Sequence, residues 1–193
     1  VHAGMNLGWE FMGHGYTNAV RLNEMPPEEE RDTIARVFER IEKETGKRPR
    51  GWLSSGLEET WSTLDYLAEQ GCVYVADWKN DDQPYLMNLT GNQMVSLPYS
   101  WEVNDVPQLT SAGRSTEEFE GVLKRTFDVL YREAKESGSG RVMAIALHPY
   151  TIGVPHRIDM LDRSLKYICS HSDVWCATGA EIVDHWLGSR ATF

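Results

Sequence analysis

Long hydrophobic runs are missing from this 193-residue sequence, which excludes a membrane-spanning helix, since that needs about 20 consecutive apolar residues. The first residues lack the basic and apolar regions of a signal peptide. Cysteine is scarce: Cys72, Cys169 and Cys176 are too few and too scattered for a disulfide framework, and none forms a CxxC pair. A reducing cytoplasm is therefore expected, with all three as buried, inert thiols. Positive charge is also in deficit. With 19 Lys and Arg against 29 Asp and Glu, the net charge is −10, so there is no basic face to displace counterions from a nucleic acid or an anionic membrane. A small neutral or polar molecule fits better as ligand. Walker loop, GxGxxG, HExxH and GxSxG patterns are absent, which removes the usual support for nucleotide, zinc-protease and serine-hydrolase readings.

What is present suffices for a core: 41% of the residues are hydrophobic and 25% charged, and a single domain over residues 1–193 is expected. From Pro26 onward helical and strand periods alternate, the pattern of an α/β parallel sheet. In the first helix Ile34, Val37, Phe38 and Ile41 share one face, Glu28 to Glu30 crowd the start, and Gly46 ends it. A second run puts Leu57, Trp61, Leu64 and Leu67 on one face before the strand 73–76. A third helix, near 116–136, opens with Ser115 and Glu118 in capping-box spacing. The apolar runs 8–13, 141–148 and 173–177 read as strands, the stripe Ile158, Leu161, Leu165, Ile168 as a helix, and Thr178 with Glu181 as the start of a last helix.

In parallel α/β folds ligands bind where strands end at their carboxyl side. That rule selects His14, the loop 52–56, Asp77 to Asp82, 98–104 and 148–157. His148, ending the most hydrophobic run, is either a general acid or base or a structural histidine hydrogen-bonded at a strand end. His14 lies between Gly13 and Gly15, which would let a ligand or metal approach closely. Asp77, Asp81 and Asp82 could supply a base or metal ligand, but a solvated Asx-rich loop is the default. Trp52, Trp78 and Trp101 could stack on a ring-shaped ligand or belong to the core. His2, His156, His171 and His185 lack comparable placement.

The segments GWEFMGHG, TGKRPRGW, VADWKNDDQPY, LPYSWEVND, FDVLYREA, ALHPYTIGVPHR and HSDVWCATGAEIVDHW together resemble the polysaccharide deacetylase (NodB-like) superfamily, and most closely its allantoinase and cyclic-imide hydrolase branch. The resemblance covers the C-terminal two-thirds of the family pattern. It implies a distorted parallel (β/α) barrel of the NodB type, incomplete in this chain, and hydrolysis of a carbon–nitrogen bond outside peptides. The implied substrate is a small cyclic amide, imide or ureide such as allantoin; the alternatives are an N-acetylated carbohydrate, or a non-catalytic subunit that keeps the fold. His14 and His148 match the histidines of the family's second and last motifs and are the implied catalytic residues. Trp52, Trp78, Asp81 and Tyr99 match substrate-pocket segments.

Two departures shape these expectations. The sugar deacetylases hold a divalent metal such as zinc with two histidines four residues apart; this sequence has His14 but Asn18, so the resemblance leaves metal dependence open. Leu53 also stands where relatives commonly carry a more polar or larger residue. Family members further carry a first strand with paired aspartates that matches nothing here. A second polypeptide supplying those strands and the acidic residue is the expected partner.

Overall fold

The computed structural model describes residues 1–89 and 93–190. Seven α-helices are described: α1 (His2–Asn6), α2 (Pro27–Thr45), α3 (Thr63–Glu69), α4 (Thr116–Ser137), α5 (Pro149–Ile152), α6 (Pro155–Cys169) and α7 (Gly179–Arg190). Four short strands, β1 (Gly51–Trp52), β2 (Tyr74–Val75), β3 (Tyr85–Leu86) and β4 (Val95–Ser96), form one sheet in the order β1-β2-β4-β3. No helix among the described residues is long and apolar enough to cross a membrane. The chain divides into two compact units.

The first unit comprises 1–78, 84–97 and 177–193 and holds the sheet. Gly51 pairs with Tyr74 and Trp52 with Val75 in parallel, and β2 pairs with β4 in parallel, whereas β3 runs antiparallel to β4. Helix α2 forms as its pattern requires: Pro27 needs no donor at the first position, Glu28 to Glu30 face the helix's positive end, and Gly46 closes it in the left-handed conformation at φ 71°. Its buried Ile34, Val37 and Phe38 pack on Trp52, Leu67, Val75 and Met94. Two glycines permit close approach across this layer. A Cβ on Gly51 would lie 2.1 Å from the Tyr74 ring, and one on Gly13 would lie 2.2 Å from the Trp52 ring.

The second amphipathic run is shorter than its spacing predicts. Helix α3 starts only at Thr63, and Trp61 is 102% exposed. Thr60 and Thr63 turn their hydroxyls to the buried carboxylate of Glu30, and Thr60 N–H donates to Thr63 Oγ1 at 2.8 Å. These side-chain bonds replace the helical turn that Trp61 would have joined.

The second unit comprises 79–83 and 98–176. Ser115 Oγ accepts the Glu118 N–H at 3.2 Å while Glu118 Oε2 accepts the Ser115 N–H at 2.7 Å, the expected capping box of α4. Phe119 and Leu123 of α4 pack with Met160 and Leu161 of α6 and with Val103, Leu109 and Ile152. The stripe expected on α6 is rotated: Ile158 and Leu165 are exposed and Ser164 is buried. Its hydroxyl donates back to Met160 O at 2.9 Å, which makes burial of Ser164 inexpensive.

The runs expected to be strands at 8–13, 141–148 and 173–177 are not ladder strands. Each makes at most one isolated bridge, Gly13 to Trp52 and Ala146 to Asn104. Apolar composition favours an extended backbone, but a strand also needs neighbours. In 141–148 the N–H groups of Val142 and Ala146 bond Asp82 O and Val103 O, whereas those of Met143, Ile145 and Leu147 have no main-chain partner among the described residues.

The thiols also differ from expectation. Cys72 is buried, and burial pushes its thiol up to about 12, but Cys169 and Cys176 are exposed with their sulfurs 3.6 Å apart. An aromatic disulfide reagent is accordingly expected to titrate two thiols in the folded chain and the third only after denaturation. Release of all three at one rate under native conditions would contradict this packing.

Candidate active site

The second unit builds its site on Asp105, the residue after the bridge at Asn104. Its backbone is fixed by Asp105 N–H donating to Ala146 O at 3.1 Å and Ala146 N–H donating to Val103 O at 3.2 Å. The fully buried carboxylate then grips His148 twice: Oδ2 accepts the main-chain N–H at 2.8 Å, and Oδ1 lies 2.6 Å from the ring Nδ1. A carboxylate only accepts, so Nδ1 carries the hydrogen, which leaves Nε2 as the ring position where a proton is gained or lost. The side chain of His148 is 33% exposed, and the Tyr150 ring lies 5.5 Å away. A tautomer-fixed, oriented imidazole with its second nitrogen open at the end of the run 141–148 can take a proton and return it. Tyr99 is buried and its hydroxyl accepts from Asn104 Nδ2 at 2.6 Å, which ties it to the segment carrying Asp105. Asp81 is exposed, and its Oδ1 accepts the Gln83 N–H at 2.9 Å in an Asx turn.

The first unit presents His14 just beyond the bridge at Gly13. Its Nδ1 lies 2.6 Å from Leu53 O, so this ring too donates through Nδ1 and leaves Nε2 free. Ser55 Oγ donates to His14 O at 2.8 Å and approaches Asn18 Oδ1 at 3.4 Å. Asp77, after β2, accepts the Ser54 N–H through Oδ1 at 2.6 Å. Trp52 is fully buried, stacks on Phe38 at 5.9 Å between centroids and donates through Nε1 to Ser54 Oγ at 2.9 Å. Its ring therefore belongs to the core, supporting the turn that holds His14. Trp78 is exposed.

No group of three or more His, Cys, Asp or Glu side chains among the described residues could hold a metal ion. His14 stands as a single imidazole whose Nδ1 is taken by Leu53 O, and Asn18 faces Ser55. The described residues do not compose a site for the divalent metal that the sugar deacetylases carry.

Asp105 is the residue that sequence reasoning passed over. Its segment ends in a strand-end loop, but nothing local marks one aspartate there, because its partner lies 43 residues away.

No family model matches the chain. A curated protein of Schizosaccharomyces pombe described as a putative polysaccharide deacetylase is 29% identical over 202 residues, covering 96% of this chain and 62% of the relative. Among solved structures, Puue allantoinase superposes with a TM-score of 0.87 at 32% identity, covering 95% of this chain and 61% of that one. A probable polysaccharide deacetylase from Pseudomonas aeruginosa PAO1 superposes with a TM-score of 0.85 at 30% identity, covering 96% and 61%. The chain spans less than two thirds of the length of each of these relatives. It shares their α/β fold, with its parallel-rich sheet, over the part it spans, and these likenesses support the polysaccharide deacetylase (NodB-like) superfamily.

Proposed function

We propose that this chain is the histidine-bearing part of a hydrolase that opens a carbon–nitrogen bond in a small cyclic amide, imide or ureide such as allantoin. The observation that carries the reading is the Asp105–His148 pair, with Nε2 free. Likeness to an allantoinase at 32% identity supports the substrate class. In the reaction the Nε2 lone pair of His148 first takes up a proton from solvent, Asp105 holding the imidazolium through Nδ1–H; water then attacks the carbonyl carbon, the tetrahedral intermediate collapses, the C–N bond breaks and the leaving nitrogen receives that proton from Nε2. The base that takes the proton of water is an acidic residue supplied by a segment outside this chain. The N–H groups of Met143, Ile145 and Leu147, which have no main-chain partner among the described residues, give such a segment an edge to join.

A second reading, N-deacetylation of a carbohydrate, is favoured by the descriptions of the fission-yeast and Pseudomonas relatives. The test is His148→Ala in the assembled enzyme, assayed on allantoin, small cyclic imides and N-acetylated sugars. Loss of turnover on cyclic ureides or imides supports the first reading and loss on acetylated sugars the second. Undiminished turnover removes His148 from the mechanism, and a wild-type complex inert on all three leaves only a fold-retaining subunit.

A further inference from the structure

Two carboxylates in the first unit each hold one shielded oxygen with no hydrogen-bond partner among the described residues. Asp77 is 7% exposed; its Oδ1 has the Ser54 N–H, but its Oδ2 has no donor among the described residues. Glu59 is half-buried, but its Oε1 is shielded and likewise without a donor among the described residues, and its carboxyl group lies against that of Asp77. Two ionised carboxylates have no hydrogen to share, and two adjacent buried negative charges are costly. One retained proton satisfies both orphaned oxygens at once. From this geometry we infer that Glu59 and Asp77 share a single proton, Glu59 donating to Asp77, and that the pair is a positioning device for His14.

The surroundings say which acid keeps the proton. Burial first, then contact with Asp77 and the charges of Asp77 and Glu30, push Glu59 up to about 9. Asp77 is raised by burial but pulled down by Glu59, by Ser54 and by His14. The groups facing the pair are Glu30 from α2, whose carboxylate is occupied by the hydroxyls of Thr60 and Thr63, the Cys72 thiol ahead of β2, and His14. None of them is a fixed cation that would let both acids ionise.

The positioning follows from the turn 53–55. Leu53 O takes the His14 ring N–H, Ser55 Oγ donates to His14 O, and the Ser54 N–H between them is anchored on Asp77. Asp77 thus holds the middle of the turn whose flanks hold His14. Ionisation of Glu59 puts a second negative charge beside that anchor and loosens it. The effect on turnover rests on the reading of His14 as part of the reactive site; the proton itself does not.

The test uses Glu59→Gln, whose amide keeps a donor toward Asp77 but has no proton to lose, with Asp77→Asn as a second variant. At neutral pH the wild-type chain is expected to show the infrared carbonyl band of a protonated carboxylic acid, absent from E59Q. The linkage has a fixed sign. The folded value near 9 lies above the ordinary 4.5, so this stabilisation is complete below the ordinary value and lost as pH rises through the folded one. Relative to E59Q, the wild-type unfolding equilibrium is expected to shift toward unfolding by about tenfold per pH unit between the two values. Nitrogen shifts of His14 should report Nδ1–H at neutral pH and lose that signature in D77N. Absence of the acid band, or wild-type and E59Q stability curves that run parallel, overturns the shared proton. A band present with the His14 tautomer unmoved in D77N overturns the positioning role. Either failure leaves the test of His148 untouched, and failure at His148 leaves the infrared result standing.

Discussion

Replacing Asp105 with Asn is expected to lower kcat by about 10² to 10⁴-fold on the enzyme's substrate while leaving KM nearly unchanged. The carboxylate accepts two hydrogens from one residue, the main-chain N–H and the Nδ1–H of His148. An amide has one accepting oxygen and two hydrogens, so it cannot replace both bonds. The oxygen keeps the main-chain N–H, and the NH2 group then faces the ring and selects the other tautomer, with Nε2 protonated and no lone pair toward the substrate. Binding contacts of the substrate are not altered, so the loss falls on kcat. The change also leaves a buried site less well satisfied, at a cost of about 1–3 kcal/mol, so the rate is compared at matched folded fraction by circular dichroism. A rise in KM with kcat preserved would place Asp105 and His148 in binding rather than proton transfer.

The helices show where sequence suffices. The stripe Ile34, Val37, Phe38 and the stop at Gly46 are local properties of α2, and the chain obeys them because one face meets one sheet. The capping boxes at Ser115 and at Thr178 with Glu181 are legible for the same reason, since both partners lie within one turn. Helix α6 carries apolar residues on more than one face, and periodicity alone cannot say which face the neighbouring helix α4 covers. The run 141–148 fails differently: its composition specifies extension, whereas pairing belongs to whatever lies alongside. In each unit a histidine, His14 in the first and His148 in the second, could be singled out as a candidate because it follows an apolar run, where parallel α/β folds bind ligands. Asp105, Glu59 and the Leu53 carbonyl could not. Each acts through a contact between distant parts of the chain, and one of them is a backbone atom with no identity in sequence.

The tryptophans give the sharpest stability contrast. Trp52→Ala is expected to cost about 3–5 kcal/mol in denaturant unfolding, because it removes a fully buried ring stacked on Phe38 and opens a void against Gly13. Trp61→Ala, nine residues further on in the amphipathic-looking run that begins at Leu57, is expected to change stability by no more than about 0.5 kcal/mol, since its side chain is in solvent. Trp52→Phe separates the two things Trp52 does: the ring stack survives, but Ser54 Oγ loses the indole N–H, a smaller loss of about 1 kcal/mol. Ser54 is also the residue anchored on Asp77, so in Trp52→Phe any change in the His14 nitrogen shifts must come through the turn rather than through packing. If Trp52→Ala instead leaves stability intact and raises KM, the indole is a substrate contact, as its place at a strand end suggests. The stack on Phe38 would then be a resting position from which the ring moves to meet the ligand.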